Sequence, residues 1–215
     1  MSDSGNLDRT LSIIPVTRET DQARESGQPG GRKLKREEDW ELNVNALRRF
    51  SSAGDWKESL NILKYLSTKE WHPHVNKAMA QRLWLVLKGD FPVSEVVVAF
   101  YHLMIRFGSG HDMAGTIAAS ANLMAHHRTP EDPDRELAQM QAYRMLRDVA
   151  DTRGIQGQQA FEDWQRNNGL DDPDVYLPRL LTMLDQVVDG HWWLDRDLLQ
   201  ADLERSNAQR QNTLQ

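Results

Sequence analysis

Residues 93–107 read VSEVVVAFYHLMIRF. Projected at 100° per residue, Val93, Val96, Val97, Phe100, Leu103, Met104 and Phe107 fall on one broad arc. Val98, Tyr101 and Ile105 carry that arc round the side, and Glu95, His102 and Arg106 line the opposite edge. A helix apolar over most of its circumference is expected to be buried by neighbours on several sides. The β-branched run Val96-Val97-Val98 would suit a strand, but about fifteen periodic residues is long for one.

The chain on either side supplies those neighbours. Residues 76–88, NKAMAQRLWLVLK, offer Met79, Leu83, Val86 and Leu87 as a facing surface. Residues 113–124, MAGTIAASANLM, are rich in Ala and Gly, and small side chains let another helix come close. The stretch 76–124 therefore reads as three consecutive helices, broken at Gly89-Asp-Phe-Pro92 and at Gly108-Ser-Gly110.

The 215 residues suffice for one good-sized core. A hydrophobic content of 39% is low for a globular chain and points to polar segments around a folded middle. Net charge is −6 with both signs interspersed, which argues against an unaided nucleic-acid binder. The absence of cysteine excludes disulfides, zinc-thiolate sites and cysteine nucleophiles. The best apolar run is interrupted by Lys88, Asp90, Glu95 and Arg106, so no membrane span is expected. The start, MSDSGNLD, lacks the features of a secretory signal. A cytoplasmic protein is expected, with the nucleus open in a eukaryotic host.

Residues 1–38 are rich in Ser, Gly, Gln and charge and are expected to form a disordered arm. The arm holds one apolar island, Leu11-Ser-Ile-Ile-Pro-Val16, whose Ile13 and Ile14 are candidate partner contacts. It also holds a basic run, Arg32-Lys33-Leu34-Lys35-Arg36. With Arg48 and Arg49, these basic residues are the candidate nucleic-acid contacts. The helical domain is expected over 39–205 and a flexible tail over 206–215. Trp40, Val44 and Leu47 mark its first apolar face. Asp55 and Asp195 are expected to cap helices carrying Leu60, Leu63 and Leu66, and Leu198, Leu199 and Leu203.

Gly54-Asp55-Trp56 and Gly89-Asp90-Phe91 lie 35 residues apart, each between two amphipathic helices. Over residues 42–107 the pattern resembles tetratricopeptide-type helical-hairpin repeats, in which a Gly-Asp-aromatic turn joins two helices. The resemblance implies stacked antiparallel hairpins whose grooves accept extended or helical segments. An irregular helical bundle using the same turn chemistry would read alike, and either architecture is all-α.

None of the seven histidines shows His-x-x-x-His spacing, and no metal or other cofactor is expected. His111-Asp112 resembles the paired residues of helical HD-type metal phosphohydrolases, but follows Phe-Gly-Ser-Gly in a break rather than ending an apolar helix. An N-cap is the expected role of Asp112. Phosphate loops, dinucleotide fingerprints and nucleophile elbows are all missing. Glu95, His102 and Arg106 form a polar stripe that could serve a partner, acid–base chemistry or an internal ion pair. Trp192 and Trp193 are adjacent, so one of them is a candidate exposed anchor. The expected function is a non-enzymatic interaction protein (adaptor, scaffold or assembly chaperone) whose partner is another protein or a second copy. A nucleic-acid-associated protein and a metal-dependent phosphohydrolase are the alternatives.

Overall fold

A computed structural model describes residues 29–127 and 132–213. Among these residues there are nine α-helices and no strand: α1 (Pro29–Ser52), α2 (Trp56–Ser67), α3 (Val75–Lys88), α4 (Val93–Phe107) and α5 (Ala114–His127), then α6 (Arg135–Thr152), α7 (Gln158–Asn167), α8 (Pro173–Val188) and α9 (Arg196–Thr213). The protein is all-α, as the period of residues 93–107 requires. No helix among the described residues is long and apolar enough to cross a membrane.

The chain divides into two units, residues 1–39 and 40–215. Of the first, residues 29–39 are described and are helical. The apolar island with Ile13 and Ile14 lies outside the described residues. Within the arm expected over residues 1–38, α1 begins at Pro29. Lys, Arg, Glu and Leu are good helix formers whether or not they present an apolar face. The same holds at the other end, where α9 runs to Thr213 through residues expected to be a tail.

In the second unit, α2 packs on α3, α3 on α4, α4 on α5 and α5 on α6. Short connections join each of these pairs, so the stack is built from consecutive hairpins. The caps follow their local chemistry. Asp55 accepts the Glu58 N–H at 3.1 Å, and Asp195 accepts the Leu198 N–H at 3.0 Å. Asp112 does not cap α5. It is exposed, and the His111 imidazole accepts the Met113 N–H at 3.2 Å instead.

The two Gly-Asp-aromatic turns lie side by side and line one cleft of about 380 Å³, which α9 covers with Leu199, Asp202 and Leu203. Trp56 donates its indole N–H to Asp202 at 2.9 Å. The turns look alike in sequence but need glycine for different reasons. Gly54 has φ +72°, a left-handed conformation that disfavours a side chain. Gly89 has an ordinary φ of −77°, but a Cβ there would collide with the Phe91 ring folded over it.

Two further relationships position the surface. Helix α8 packs against both α3 and α5, so the groove between those two helices is filled by the chain itself. Helices α4 and α6 pack against each other and run parallel. The Val93 N–H donates to Asp132, just ahead of α6, at 3.0 Å. At the far end, the Arg153 guanidinium donates to the carbonyls of Ser109 and His111, both at 2.8 Å.

Candidate functional site

The polar stripe of α4 lies along its border with α2 and α3, with Glu95 half-buried and His102 and Arg106 exposed. Lys64 of α2 meets Glu95 at 2.5 Å, and Arg82 of α3 meets the same carboxylate at 3.7 Å. Arg82 also donates to Nδ1 of His102 at 3.0 Å. Arg106 donates to Asn76 Oδ1 at 2.8 Å. All three stripe residues thus hold α4 to its neighbours. Arg82 is the group that sequence reading missed. It is only 3% exposed, and its Nε is buried without a protein partner. Burial lowers its pKa, while the Glu95 carboxylate works in the opposite direction.

This arrangement makes a pH prediction. His102 accepts from Arg82 through Nδ1, which requires the neutral imidazole. Burial lowers the His102 pKa, the Arg82 charge lowers it further, and Glu95 opposes both. A histidine with a depressed folded-state pKa binds its proton more readily when unfolded. Its contribution is therefore intact above the unfolded pKa of about 6.5 and is lost as pH falls from there toward the folded-state value. Thermal melts at descending pH should show a smaller loss of Tm over that window in His102→Gln than in the unmodified chain. Parallel curves would mean the imidazole does not titrate against Arg82.

The tryptophan pair separates. Trp193 is 8% exposed and meets Trp40 edge-to-face at 5.8 Å, while Trp40 stacks on His72 at 3.6 Å. Trp192 is half-buried and meets Trp84 edge-to-face at 5.4 Å. The Arg196 guanidinium lies over both Trp192, at 4.2 Å, and Trp84, at 5.0 Å, and pairs with Asp185 at 3.2 Å. These groups line an open cleft of about 580 Å³ whose aromatic faces already hold a cation from the same chain. Of the other tryptophans, Trp84 and Trp164 are buried and Trp56 is half-buried.

A second cleft, of about 430 Å³, is lined by Asn122, His126, His127, Gln165, Asp171 and Tyr176 among others. Burial and the nearby Asp172 raise the Tyr176 hydroxyl to about 12, so it stays protonated. Among the described residues, no three His, Asp or Glu side chains converge as a metal ion would require. The basic candidates lie on α1, where Lys35, Arg36, Arg48 and Arg49 are exposed. Arg32 and Lys33 fall on the same helix.

The largest departure from the sequence reading is on α4 itself. Its fourth side is open, because Val98, Tyr101 and Ile105 are exposed. On α6, Leu137, Met140 and Tyr143 are exposed as well. The buried face of α6 is already complete without them, in Ala138, Ala142, Met145 and Val149. That surplus was a usable signal in the sequence. Six large apolar side chains on two adjacent parallel helices expose on the order of a few hundred Å², the scale at which a patch marks an interaction surface.

Comparison with known protein families, with curated proteins and with solved structures yields no match for this chain.

Proposed function

We propose that this chain is a non-catalytic protein-interaction module whose working surface is the outward face of α4 and α6. The reading rests on one observation: Val98, Tyr101, Ile105, Leu137, Met140 and Tyr143 are between 36% and 59% exposed on two helices that pack side by side. Such surface costs free energy in water at about 25 cal/mol for each Å² left uncovered. Elsewhere the hairpin stack supplies its own occupants. Helix α8 fills the groove between α3 and α5, α9 covers the paired turns, and Arg196 sits over Trp192 and Trp84. On the α4–α6 face, Phe161 of α7 meets Tyr143 edge-to-face at 6.2 Å but leaves it exposed, and Val98, Tyr101, Ile105, Leu137 and Met140 are exposed as well.

The test is positional. A photo-reactive side chain at Ile105 or Met140, in cells producing the full chain, should yield a protein adduct. The same group at Lys57, exposed on α2, should yield none. Adducts at Lys57 alone, or at no position, would overturn the reading.

A further inference from the structure

We infer that the occupant of the α4–α6 face is a second copy of this chain, related by a twofold axis that sets each α4 and α6 antiparallel to its counterpart. This deepens the interaction reading above and depends on it. In a twofold interface the same patch serves both copies: if residue i meets j, then j meets i. Between antiparallel helices, a stripe must therefore present complementary groups when read from either end.

An outer stripe of α6, exposed at Glu136, Met140 and Tyr143 and half-buried at Arg147, satisfies that condition. Glu136, Met140, Tyr143 and Arg147 follow at i, i+4, i+7 and i+11 and share an arc of about 60°. Turned end for end, Glu136 opposes the second copy's Arg147 and Met140 opposes its Tyr143. All pairs are symmetric about the midpoint between residues 141 and 142. Acid thus meets base at both ends, with apolar side chains between them. Neither Glu136 nor Arg147 enters an ion pair among the described residues, and Arg147 lies over the Phe161 ring at 4.4 Å.

On α4 one exposed apolar pair can be opposed in the same way, with Tyr101 set against the second copy's His102. Val98 and Ile105 are symmetric about the midpoint between Tyr101 and His102, so Val98 opposes the second copy's Ile105. The two midpoints also lie at the same height. Counting along α4 from the Val93–Asp132 tie, and back from the Arg153 tie to Ser109 and His111, the α6 midpoint comes level with α4 between about residues 98 and 103. That interval brackets the α4 midpoint, so a single axis serves both helices. A surface shaped for an unrelated partner is under no constraint to set acid against base when its stripe is turned end for end.

The experiment uses the full chain and sedimentation velocity, with circular dichroism as a check on folding. The unmodified chain should sediment as a dimer at micromolar concentration. Glu136→Arg and Arg147→Glu should each weaken self-association by about tenfold or more, because each places like charges opposite one another twice. Both variants should keep their helical signal. Mixing the two should restore a dimer, since every opposed pair then becomes acid against base, and the double exchange in one chain should restore it too. A monomer up to about 100 µM, single variants that dimerise normally, or a mixture that stays monomeric would each overturn self-pairing. The Ile105 cross-link separates the two readings. An adduct with twice the mass of the chain supports both. An adduct with a different protein and no dimer overturns self-pairing while leaving the interaction surface, and no adduct overturns both.

Discussion

Val97→Asp is expected to abolish the cooperative thermal unfolding of the helical domain and most of its helical signal. Val97 is 1% exposed and belongs to the core that α4 shares with its neighbours. Substitution removes about 1.5–3 kcal/mol of apolar burial. It also places a carboxylate among the apolar side chains of the core, on the face of α4 opposite Glu95, His102 and Arg106. Desolvating that ion costs several kcal/mol even after relaxation. Together these losses are comparable with the roughly 5–15 kcal/mol that holds a domain together.

Val98→Asp is the control, because it changes the same helix by the same chemistry one residue further on. Val98 is on the exposed side, so the carboxylate stays in water and the melt should survive with a change of about 1 kcal/mol or less. If Val97→Asp melts like the unmodified chain, the face carrying Val96, Val97 and Phe100 is not the core. If both variants unfold, α4 is enclosed on all sides and the interaction surface proposed for it does not exist.

The contrast between these adjacent valines shows what a sequence can and cannot carry. Period and capping are local, and they were legible. The helix over 93–107, the turn at Gly54 with its Asp55 cap, and the Asp195 cap all depend on residues within four positions of one another. Which side of an apolar helix stays open is not local. Val97 and Val98 are the same residue type, and only the placement of α3, α5 and α6 distinguishes them. The polar stripe carried the same ambiguity. Glu95 and His102 could serve a partner, acid–base chemistry or an internal pair until Lys64 and Arg82 are brought against them from the two preceding helices. The resemblance of the Gly-Asp-aromatic turns did bring them together in space, but their backbone conformations differ, because one glycine answers a left-handed φ and the other a ring. The exposed apolar residues of α6 were the nearest miss. Four residues at helical spacing already made its buried face, and Leu137, Met140 and Tyr143 were left over.

Gln81→Leu should lower stability by about 3–5 kcal/mol, although leucine is the better core residue by hydropathy. Gln81 sits in the apolar run of α3 and is fully buried. Its Oε1 accepts the backbone N–H of Trp193 at 2.8 Å and of Leu194 at 3.3 Å, and its Nε2 donates to the His191 carbonyl at 3.3 Å. Those three backbone groups belong to the link between α8 and α9, where no helix satisfies them. Trp193 and Leu194 are themselves buried, so water cannot easily replace the amide. Each buried group left unpaired costs about 1–3 kcal/mol, which outweighs the gain from burying a leucine side chain. Gln81→Glu keeps the acceptor but loses the donor and buries a charge, so it should not rescue the loss. Denaturant titration followed by tryptophan emission reads the effect directly, because the link carries Trp192 and Trp193 and places Trp193 against Trp40. Self-association at low temperature should persist, since Gln81 makes none of its hydrogen bonds to α4 or α6. A Gln81→Leu midpoint matching the unmodified chain would show that the link finds its partners elsewhere. The amide would then be a passenger in the core rather than the clamp that closes α9 onto the stack.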